Sequence, residues 1–275
     1  MPNPLISINI PVFNGEKFLE KALQSVLDQT YKDYEIVIII DGTNDKSEEI
    51  IKKYQKLYPE KIRYQWQKNL GLARTRNNLI KLSKGDYIAI LDQDDLWKKD
   101  KLEKQMSLFS KDPEVKFVYS SFTFIDDNDD PVNDFQEKLY RGFFFDEYFN
   151  NYFIPCPTII FNKDIIDKVG FFDPAYKYAE ETDFALKASL FYKFDYVPES
   201  TCFYRLHEHN TSKNDILTSY EHYKLKKNIY KFIKKNKLSL KNVVPIKKEI
   251  WRLKLVYIRT MLKQSLKNIL KKGSK

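Results

Sequence analysis

The chain of 275 residues contains only two cysteines, Cys156 and Cys202, and seven glycines. Two cysteines are too few for a disulfide framework and lack metal-ligand spacing, so a reducing compartment is the simplest assumption. No apolar run reaches the roughly 18 residues that a membrane span requires. The start of the chain lacks a basic segment followed by an apolar one, which a secretion signal would show. These absences predict a cytoplasmic protein, either free or peripheral on the inner face of the cell membrane.

Two common phosphate-binding motifs are also missing. No G-x-G-x-x-G follows the first apolar run, and no G-x-x-x-x-G-K-[ST] occurs anywhere in the chain, so dinucleotide and P-loop sites are not expected. The composition is 43% hydrophobic and 15% aromatic, which suffices for one large globular domain with an appendage.

The net charge of +9 is distributed unevenly along the chain. Residues 216–275 carry 18 basic and 2 acidic residues, a net charge of +16, whereas residues 1–215 carry −7. We therefore predict a main domain at 1–215 and a basic amphipathic helical tail at 216–275. The tail either meets anionic lipid, packs on the acidic domain or binds nucleic acid. Trp251 and Tyr257 suit a membrane interface, so we favour an anionic membrane surface and expect no nucleic-acid partner.

The first hundred residues alternate between the patterns of strands and helices. This order predicts an α/β fold with a mostly parallel sheet, right-handed crossovers and flanking helices. The continuous apolar run at 34–40 is typical of a strand buried on both faces. The predicted strands are 5–12, 34–40, 62–66 and 86–91, and the predicted helices are 15–29, 44–58 and 70–82.

Three carboxylates follow the fourth predicted strand directly, at Asp92, Asp94 and Asp95. Like charges this close repel one another unless a cation joins them. Oxygen ligands at the carboxyl end of a strand suit a hard divalent cation, Mg²⁺ or Mn²⁺, that also binds substrate phosphates. The alternative is a solvated acidic turn that caps a helix beginning near Trp97.

Polar residues also follow the first two strands. Asn14 and Gly15 end the first strand, and Asp41 and Gly42 end the second. Asp41 lies where a nucleotide's base or ribose could be hydrogen-bonded, and Gly42 allows close approach of the backbone. The alternative is ordinary turn chemistry, since Asp-Gly is a common turn dipeptide.

Four segments together resemble the family 2 glycosyltransferases, and the resemblance covers roughly residues 4–210. It implies a GT-A fold and an inverting enzyme that uses a nucleotide-diphosphate sugar, a UDP-sugar being our first expectation, with a divalent cation. One departure is Ile40, where family members often carry a first Asp before the one at Asp41. The segments are Pro11-Val12-Phe13-Asn14, Asp41-Gly42-Thr43-Asn44-Asp45, Asn69-Leu70-Gly71-Leu72-Ala73-Arg74-Thr75-Arg76-Asn77 and Leu91-Asp92-Gln93-Asp94-Asp95.

The resemblance assigns the donor site to residues of these segments. Arg74 aligns with the family's arginine, and a guanidinium at a helix start suits a pyrophosphate. Arg76 is either a second phosphate contact or a surface or ion-pair residue. The expected nucleotide-sugar contacts are Pro11, Val12, Asn14, Asp41, Arg74, Asp92 and Gln93.

Two later segments complete the expected site. Residues 170–186 resemble the family's G-x-F-D-E…E-D-x-D-L-x-L-R, which implies that Glu181 is the base toward the acceptor hydroxyl. The alternative is that Glu180, Glu181 and Asp183 are first-turn helix acids favoured by the helix dipole. Tyr204-Arg205-Leu206-His207 resembles the family's Y-R-x-H, and the imidazole of His207 is a candidate ligand for the metal or the pyrophosphate. The expected metal ligands are thus Asp94, Asp92 and His207.

The stretch between these motifs carries less information. Residues 117–124 and 156–161 have strand patterns, and the acidic residues 126–130 predict a solvated hairpin end. The aromatic residues 143–153 belong either to the core or to a lid over the acceptor.

Two functions are compatible with these observations. The first is an active glycosyltransferase with a saccharide or lipid-linked acceptor, in cell-surface polysaccharide synthesis. The second is a catalytically degenerate nucleotide-sugar-binding protein, tethered to membrane or nucleic acid by its tail. The acids at Asp92, Asp94 and Glu181 favour the enzyme.

Overall fold

A computed structural model describes residues 3–177, 179–208, 215–238 and 243–273. The chain divides into two compact units, Met1–His207 and Glu208–Lys275. The boundary that the sequence places at 215/216 stays a prediction.

In the described part of the first unit, nine strands form one sheet. Its order is β3-β2-β1-β4-β8-β6-β9-β5, and β7 pairs with β6. The strands are β1 (Ile6–Val12), β2 (Tyr34–Asp41), β3 (Ile62–Gln67), β4 (Tyr87–Ile90), β5 (Leu96–Trp97), β6 (Val115–Ile125), β7 (Pro131–Asp134), β8 (Ile160–Asn162) and β9 (Lys193–Arg205). The helices are α1 (Leu19–Leu27), α2 (Ser47–Leu57), α3 (Leu72–Leu82), α4 (Lys101–Lys111), α5 (Phe145–Asn150), α6 (Ile166–Val169) and α7 (Glu180–Ser189).

The first four strands have the predicted architecture. They lie parallel, with β1 between β2 and β4 and with β3 beyond β2. Every residue of β1 and β2 is buried, as the continuous apolar pattern indicates for strands covered on both faces. The prediction of an α/β sheet flanked by helices is confirmed, and it brings the carboxyl ends of β1, β2 and β4 to one edge.

Antiparallel strands dominate the other half of the sheet. Strand β8 pairs antiparallel with β4 and β6, whereas β9 runs parallel to β6. Two local predictions were wrong here. Trp97 lies in β5 against β9, and the next helix begins only at Lys101. Cys156–Thr158 is a 3-10 turn, because Pro157 cannot donate to a strand ladder, so β8 begins at Ile160.

The aromatic segment belongs mainly to the core. Phe144, Tyr148, Phe149 and Phe153 are each less than 5% exposed, whereas Phe143 is 71% exposed. Edge-to-face contacts hold this segment against β6 and β9, since the ring centroid of Phe144 lies 6.0 Å from that of Tyr119 and 5.1 Å from that of Phe194.

The second unit contains two helices, α8 (Asp215–Lys235) and α9 (Val243–Gly273), which pack on each other. Their shared apolar side chains include Leu225, Ile229, Ile246 and Leu253, all less than 10% exposed. None of the helices in the described ranges is long and apolar enough to cross a membrane.

Candidate active site

The loops after β1 and β2 are joined through Asn14. Its backbone N–H donates to Thr43 Oγ1 at 2.6 Å, and its side-chain Oδ1 accepts from the Asn44 N–H at 3.0 Å. Asn14 adopts a φ of 51°, a conformation that asparagine tolerates better than most residues. Pro11 and Val12 precede it as buried residues of β1. These predicted donor contacts therefore lie together at the carboxyl end of β1, where the loops after β1 and β2 meet.

Asp41 fixes the loop that precedes α3. Its carboxylate accepts from the N–H groups of Leu70 at 2.7 Å and Gly71 at 2.9 Å, and from Gln67 Nε2 at 2.8 Å. The neighbouring Gly42 has a φ of 78°, and a Cβ there would lie 2.8 Å from the backbone nitrogen of Asn69. The glycine is thus required by both conformation and space. Contact of Asp41 with a nucleotide stays a prediction.

Gln93 ties the acidic loop to the end of β1. Its Nε2 donates to the Phe13 carbonyl at 2.9 Å, and its Oε1 accepts from the Phe13 N–H at 2.9 Å. This two-point contact holds the loops after β1 and β4 side by side. Phe13 itself is 47% exposed.

The structure brings two of the three predicted metal ligands together. His207 Nε2 lies 2.8 Å from Asp94 Oδ2, and both side chains are partly exposed. A carboxylate and an imidazole suit Mn²⁺, and Mg²⁺ commonly binds one or two carboxylates with substrate phosphates supplying further ligands. Among the residues described, no group of three or more His, Cys, Asp or Glu side chains is arranged to hold a metal. The pair therefore fits a cation that is completed by the donor's phosphates.

Arg205, to which the sequence analysis assigned no role, holds this loop in place. Its side chain is fully buried; Nε donates to the Asp94 carbonyl at 2.8 Å and Nη1 to the Asp126 carbonyl at 2.6 Å. Its backbone N–H donates to Asp95, and burial, reinforced by Asp94 and Asp92, raises the pKa of Asp95 well above its usual range. The acidic hairpin end at 126–130 is therefore attached to the acidic loop after β4. In the sequence, the Y-R-x-H pattern was the signal that could have indicated a role for Arg205.

Arg76 forms the centre of a buried ion cluster. Its Nη2 donates to both oxygens of Asp92, at 2.7 and 2.9 Å, and its Nη1 lies 2.7 Å from Glu180 and 3.5 Å from Glu181. Arg76 is 2% exposed and Glu180 is fully buried. Burial alone would lower the pKa of Arg76, but Asp92 and the two glutamates outweigh it and hold that pKa well above its ordinary value. One guanidinium thus joins the acidic loop after β4 to the start of α7.

Arg74 lies apart from this cluster. It is exposed, and Nη1 reaches only the carbonyl of Leu70, at 3.4 Å. Of the two alternatives for Arg76, the structure therefore shows the ion pair. Arg74 remains the candidate for a phosphate contact at the start of α3.

Burial is the main reason why the pKa of Asp183 on α7 is raised, and it acts in the same way on Glu181. Burial raises its pKa to about 8, with a further contribution from the charge of Glu180, while Arg76 lowers it in part. Its side chain is 22% exposed. Asp183, in contrast, is paired with Lys187 at 2.5 Å one turn further along the helix. A carboxylate that accepts a proton near neutral pH is suited to general-base chemistry.

Comparison with known proteins gives a consistent result. Residues 7–170 match the family model described as Glycosyl transferase family 2. A glycosyltransferase of Methanocaldococcus jannaschii, MJ1057, is 30% identical over 210 residues, which are 75% of this chain and 72% of the relative. The Bacillus subtilis protein TuaG, named for teichuronic acid biosynthesis, is 31% identical over 162 residues, covering 58% of this chain and 63% of TuaG.

Two solved structures share the fold. Staphylococcal TarS (S. aureus, residues 1–349) in complex with UDP-GlcNAc aligns with a TM-score of 0.68 at 18% identity, over 82% of this chain and 65% of that one. The mannosyltransferase PcManGT from Pyrobaculum calidifontis, in complex with GDP-Man and Mn²⁺, aligns with a TM-score of 0.66 at 15% identity, over 92% of this chain and 70% of that one. The chain therefore spans just under two thirds of the TarS fragment.

Proposed function

The chain belongs to glycosyltransferase family 2, and from this membership we propose that it transfers a sugar from a nucleotide-diphosphate sugar to a hydroxyl group, with inversion. Our first choice of donor is a UDP-sugar, and of acceptor a saccharide or lipid-linked saccharide of a cell-surface polysaccharide. Similar proteins support a nucleotide-sugar donor and a polysaccharide role: TarS forms a complex with UDP-GlcNAc, PcManGT forms a complex with GDP-Man, and TuaG is named for teichuronic acid biosynthesis. The observation that carries the proposal is the shared contact of Arg76 with Asp92 and Glu181.

That contact supports the proposal because Arg76 touches both a residue that we assign to the donor and the residue that we assign to the acceptor. Asp92 belongs to the loop after β4, where the donor is expected, and Glu181 begins α7, where the acceptor is expected. Both touch one guanidinium, so the acceptor base lies within a few ångströms of the donor loop. A degenerate binding protein would have no need for a carboxylate of raised pKa at this position.

On the donor side, we assign the nucleotide to a cleft at the carboxyl edge of the sheet, beside the joined loops after β1 and β2, with Pro11, Val12, Asn14 and Asp41 as its expected contacts. Gln93 holds the acidic loop against this cleft through Phe13. Arg74 is exposed at the start of α3, where a guanidinium can reach a diphosphate oxygen.

We assign the divalent cation to Asp94 and His207, with Asp92 the third candidate ligand. When bound, Mg²⁺ or Mn²⁺ would neutralise charge on the departing diphosphate. The complex of PcManGT with Mn²⁺ supports a cation in a protein of this fold. The chain's own contribution is the position of Asp94, which Arg205 fixes through the Asp94 carbonyl.

On the acceptor side, Glu181 takes the proton of the acceptor hydroxyl. The acceptor oxygen then forms a bond to the anomeric carbon as the bond from that carbon to the diphosphate oxygen breaks. The electron pair leaves with the nucleoside diphosphate, and the anomeric configuration inverts. Arg76 orients Glu181 and balances its negative charge before this step; once Glu181 has taken the proton it is neutral.

The test is a screen of UDP- and GDP-sugars for cation-dependent hydrolysis and for transfer to saccharide acceptors. Glu181→Gln should lower transfer by about 10²–10⁴-fold with donor affinity near that of the unmodified protein. Asp94→Asn should abolish the cation-dependent part of donor binding measured by calorimetry. Glu48→Gln, an exposed acid of α2 paired with Lys52, is the matched control.

Two results would count against the proposal. Donor binding without any turnover, unchanged by Glu181→Gln, would identify the chain as the binding protein considered above. Donor binding that EDTA leaves intact would show that the donor does not need a cation in this site. We also propose a cytoplasmic location, peripheral on the inner membrane face, where a lipid-linked acceptor would be found.

A further inference from the structure

Helix α9 presents an exposed apolar stripe. Trp251, Leu255, Ile258 and Leu262 are 64%, 48%, 42% and 59% exposed. Their spacing of four, three and four residues places them on one face of a helix. Exposure of four large apolar side chains in a row is unusual for a surface that meets only water.

This stripe is not the face that packs within the second unit. Leu253 and Ile246 are buried, and the ring of Tyr257 lies 5.3 Å from that of Tyr220 on α8. At 100° per residue, these side chains lie on the opposite side of α9 from the stripe. The helix pair is therefore held together by one face of α9, and the stripe is available to another partner.

Basic side chains border the stripe on both sides. Lys248 and Arg259 lie on one side of it and Lys247 and Lys254 on the other, and all four are exposed. The sequence of α9 contains nine basic residues and a single acidic one, Glu249. Glu249 is paired with Lys226 and Arg252, so it does not offset the charge beside the stripe.

The charge pattern distinguishes between two kinds of partner. A second copy docked through the same stripe would bring these lysines and arginines against one another, and like charges across an interface are unfavourable. An anionic lipid surface instead attracts them, while apolar side chains enter the headgroup region and a Trp suits that depth. We propose that α9 lies in the surface of an anionic membrane, with Trp251, Leu255, Ile258 and Leu262 facing the lipid.

The test measures sedimentation of the full chain with vesicles of phosphatidylcholine, with or without phosphatidylglycerol, in the absence of donor. We expect binding only with phosphatidylglycerol, and less of it as salt rises. Trp251→Ser/Leu255→Ser/Leu262→Ser should weaken binding at least about tenfold. A second variant, which replaces the four bordering basic residues, should weaken vesicle binding about fivefold per charge removed. Its substitutions are Lys247→Gln/Lys248→Gln/Lys254→Gln/Arg259→Gln. A blue shift of tryptophan emission on binding should disappear in Trp251→Phe.

The control is Leu57→Ser/Val132→Ser, which removes two apolar side chains of the first unit that are 62% and 57% exposed. It should bind vesicles as the unmodified chain does. Circular dichroism confirms that each variant is folded, which is expected because every changed side chain is exposed. Equal binding by the stripe variant, equal binding to neutral vesicles, or a stripe-dependent dimer in the absence of lipid would each overturn the proposal. Donor turnover is measured separately, so failure here leaves the transferase assignment intact.

Discussion

Replacing Arg76 by methionine removes the cation shared by Asp92, Glu180 and Glu181. Methionine has a similar length and leaves little cavity, so the main effect is electrostatic. Two of the ion pairs have nitrogen–oxygen distances of 2.7 Å, and Glu180 is fully buried. Breaking a buried pair by removing one partner typically costs about 3–5 kcal/mol. We expect a loss of this size in the free energy of unfolding at about pH 8, because three neighbouring carboxylates then lack their counter-charge.

The loss should become smaller in acid. Without Arg76, burial and mutual repulsion raise the folded-state pKa values of these carboxyls above their unfolded values. The folded state then binds more protons than the unfolded state, so stability falls as pH rises through the raised pKa values. Urea unfolding, followed by circular dichroism at about pH 8 and about pH 5.5, should therefore show a smaller difference from the unmodified protein at the lower pH.

Arg74→Met is the matched control, since Arg74 lies on the same helix but is exposed. It should change stability by no more than about 0.5 kcal/mol. In the Arg76→Met background, Glu180→Gln should recover part of the loss, because it removes one of the unbalanced charges. A loss below about 1 kcal/mol that does not vary with pH would refute the view that Arg76 neutralises the cluster.

Two further predictions concern the base and the acidic loop. Glu181 has a pKa of about 8, and only its deprotonated form is a base. We therefore expect kcat/KM for transfer to rise with pH, about tenfold per pH unit well below that pKa, and to level off above it. A flat profile between about pH 6 and 9 would assign the base to another residue. Gly15→Ala would place a Cβ 2.4 Å from Gln93 Oε1, so Gln93 must release Phe13, and the free energy of unfolding should fall by about 1–2 kcal/mol. In a Gln93→Ala background the same change should lower it by less than about 0.5 kcal/mol. Equal losses in the two backgrounds would contradict this contact.

The parts of the fold that the sequence predicted are those that local patterns determine. Strands β1 and β2 are continuous apolar runs, and the parallel order follows from alternation with helices. Because parallel strands end at one edge, the loops at Asn14, Asp41 and Asp94 could be assigned to a common cleft. The placements of Trp97 and Cys156 were wrong because two- and three-residue strands carry almost no periodic signal.

The sequence could not reveal pairings between distant elements. The bond from Gln93 to Phe13 and the contacts of Arg205 with the Asp94 and Asp126 carbonyls depend on how loops meet in space. No spacing rule along the chain predicts such contacts. The meeting of His207 with Asp94 was expected only through the resemblance to a family.

The role of Arg76, however, was within reach of the sequence. Residues 74 and 76 are separated by 200° on a helix, so they face in opposite directions. Ala73 and Ile80 lie three residues before and four residues after Arg76, and both are buried, so an arginine at 76 belongs to the buried face of α3. A buried guanidinium must be paired with carboxylates. The acids of the donor loop and of α7 are the candidates because both face the sheet edge toward which α3 begins, and a fork-shaped guanidinium can contact two of them at once. The helical period, together with the burial of Ala73 and Ile80, thus indicates that Arg76 and not Arg74 belongs to the buried face of α3 and requires carboxylate partners, whereas contact of Arg74 with a ligand stays a prediction.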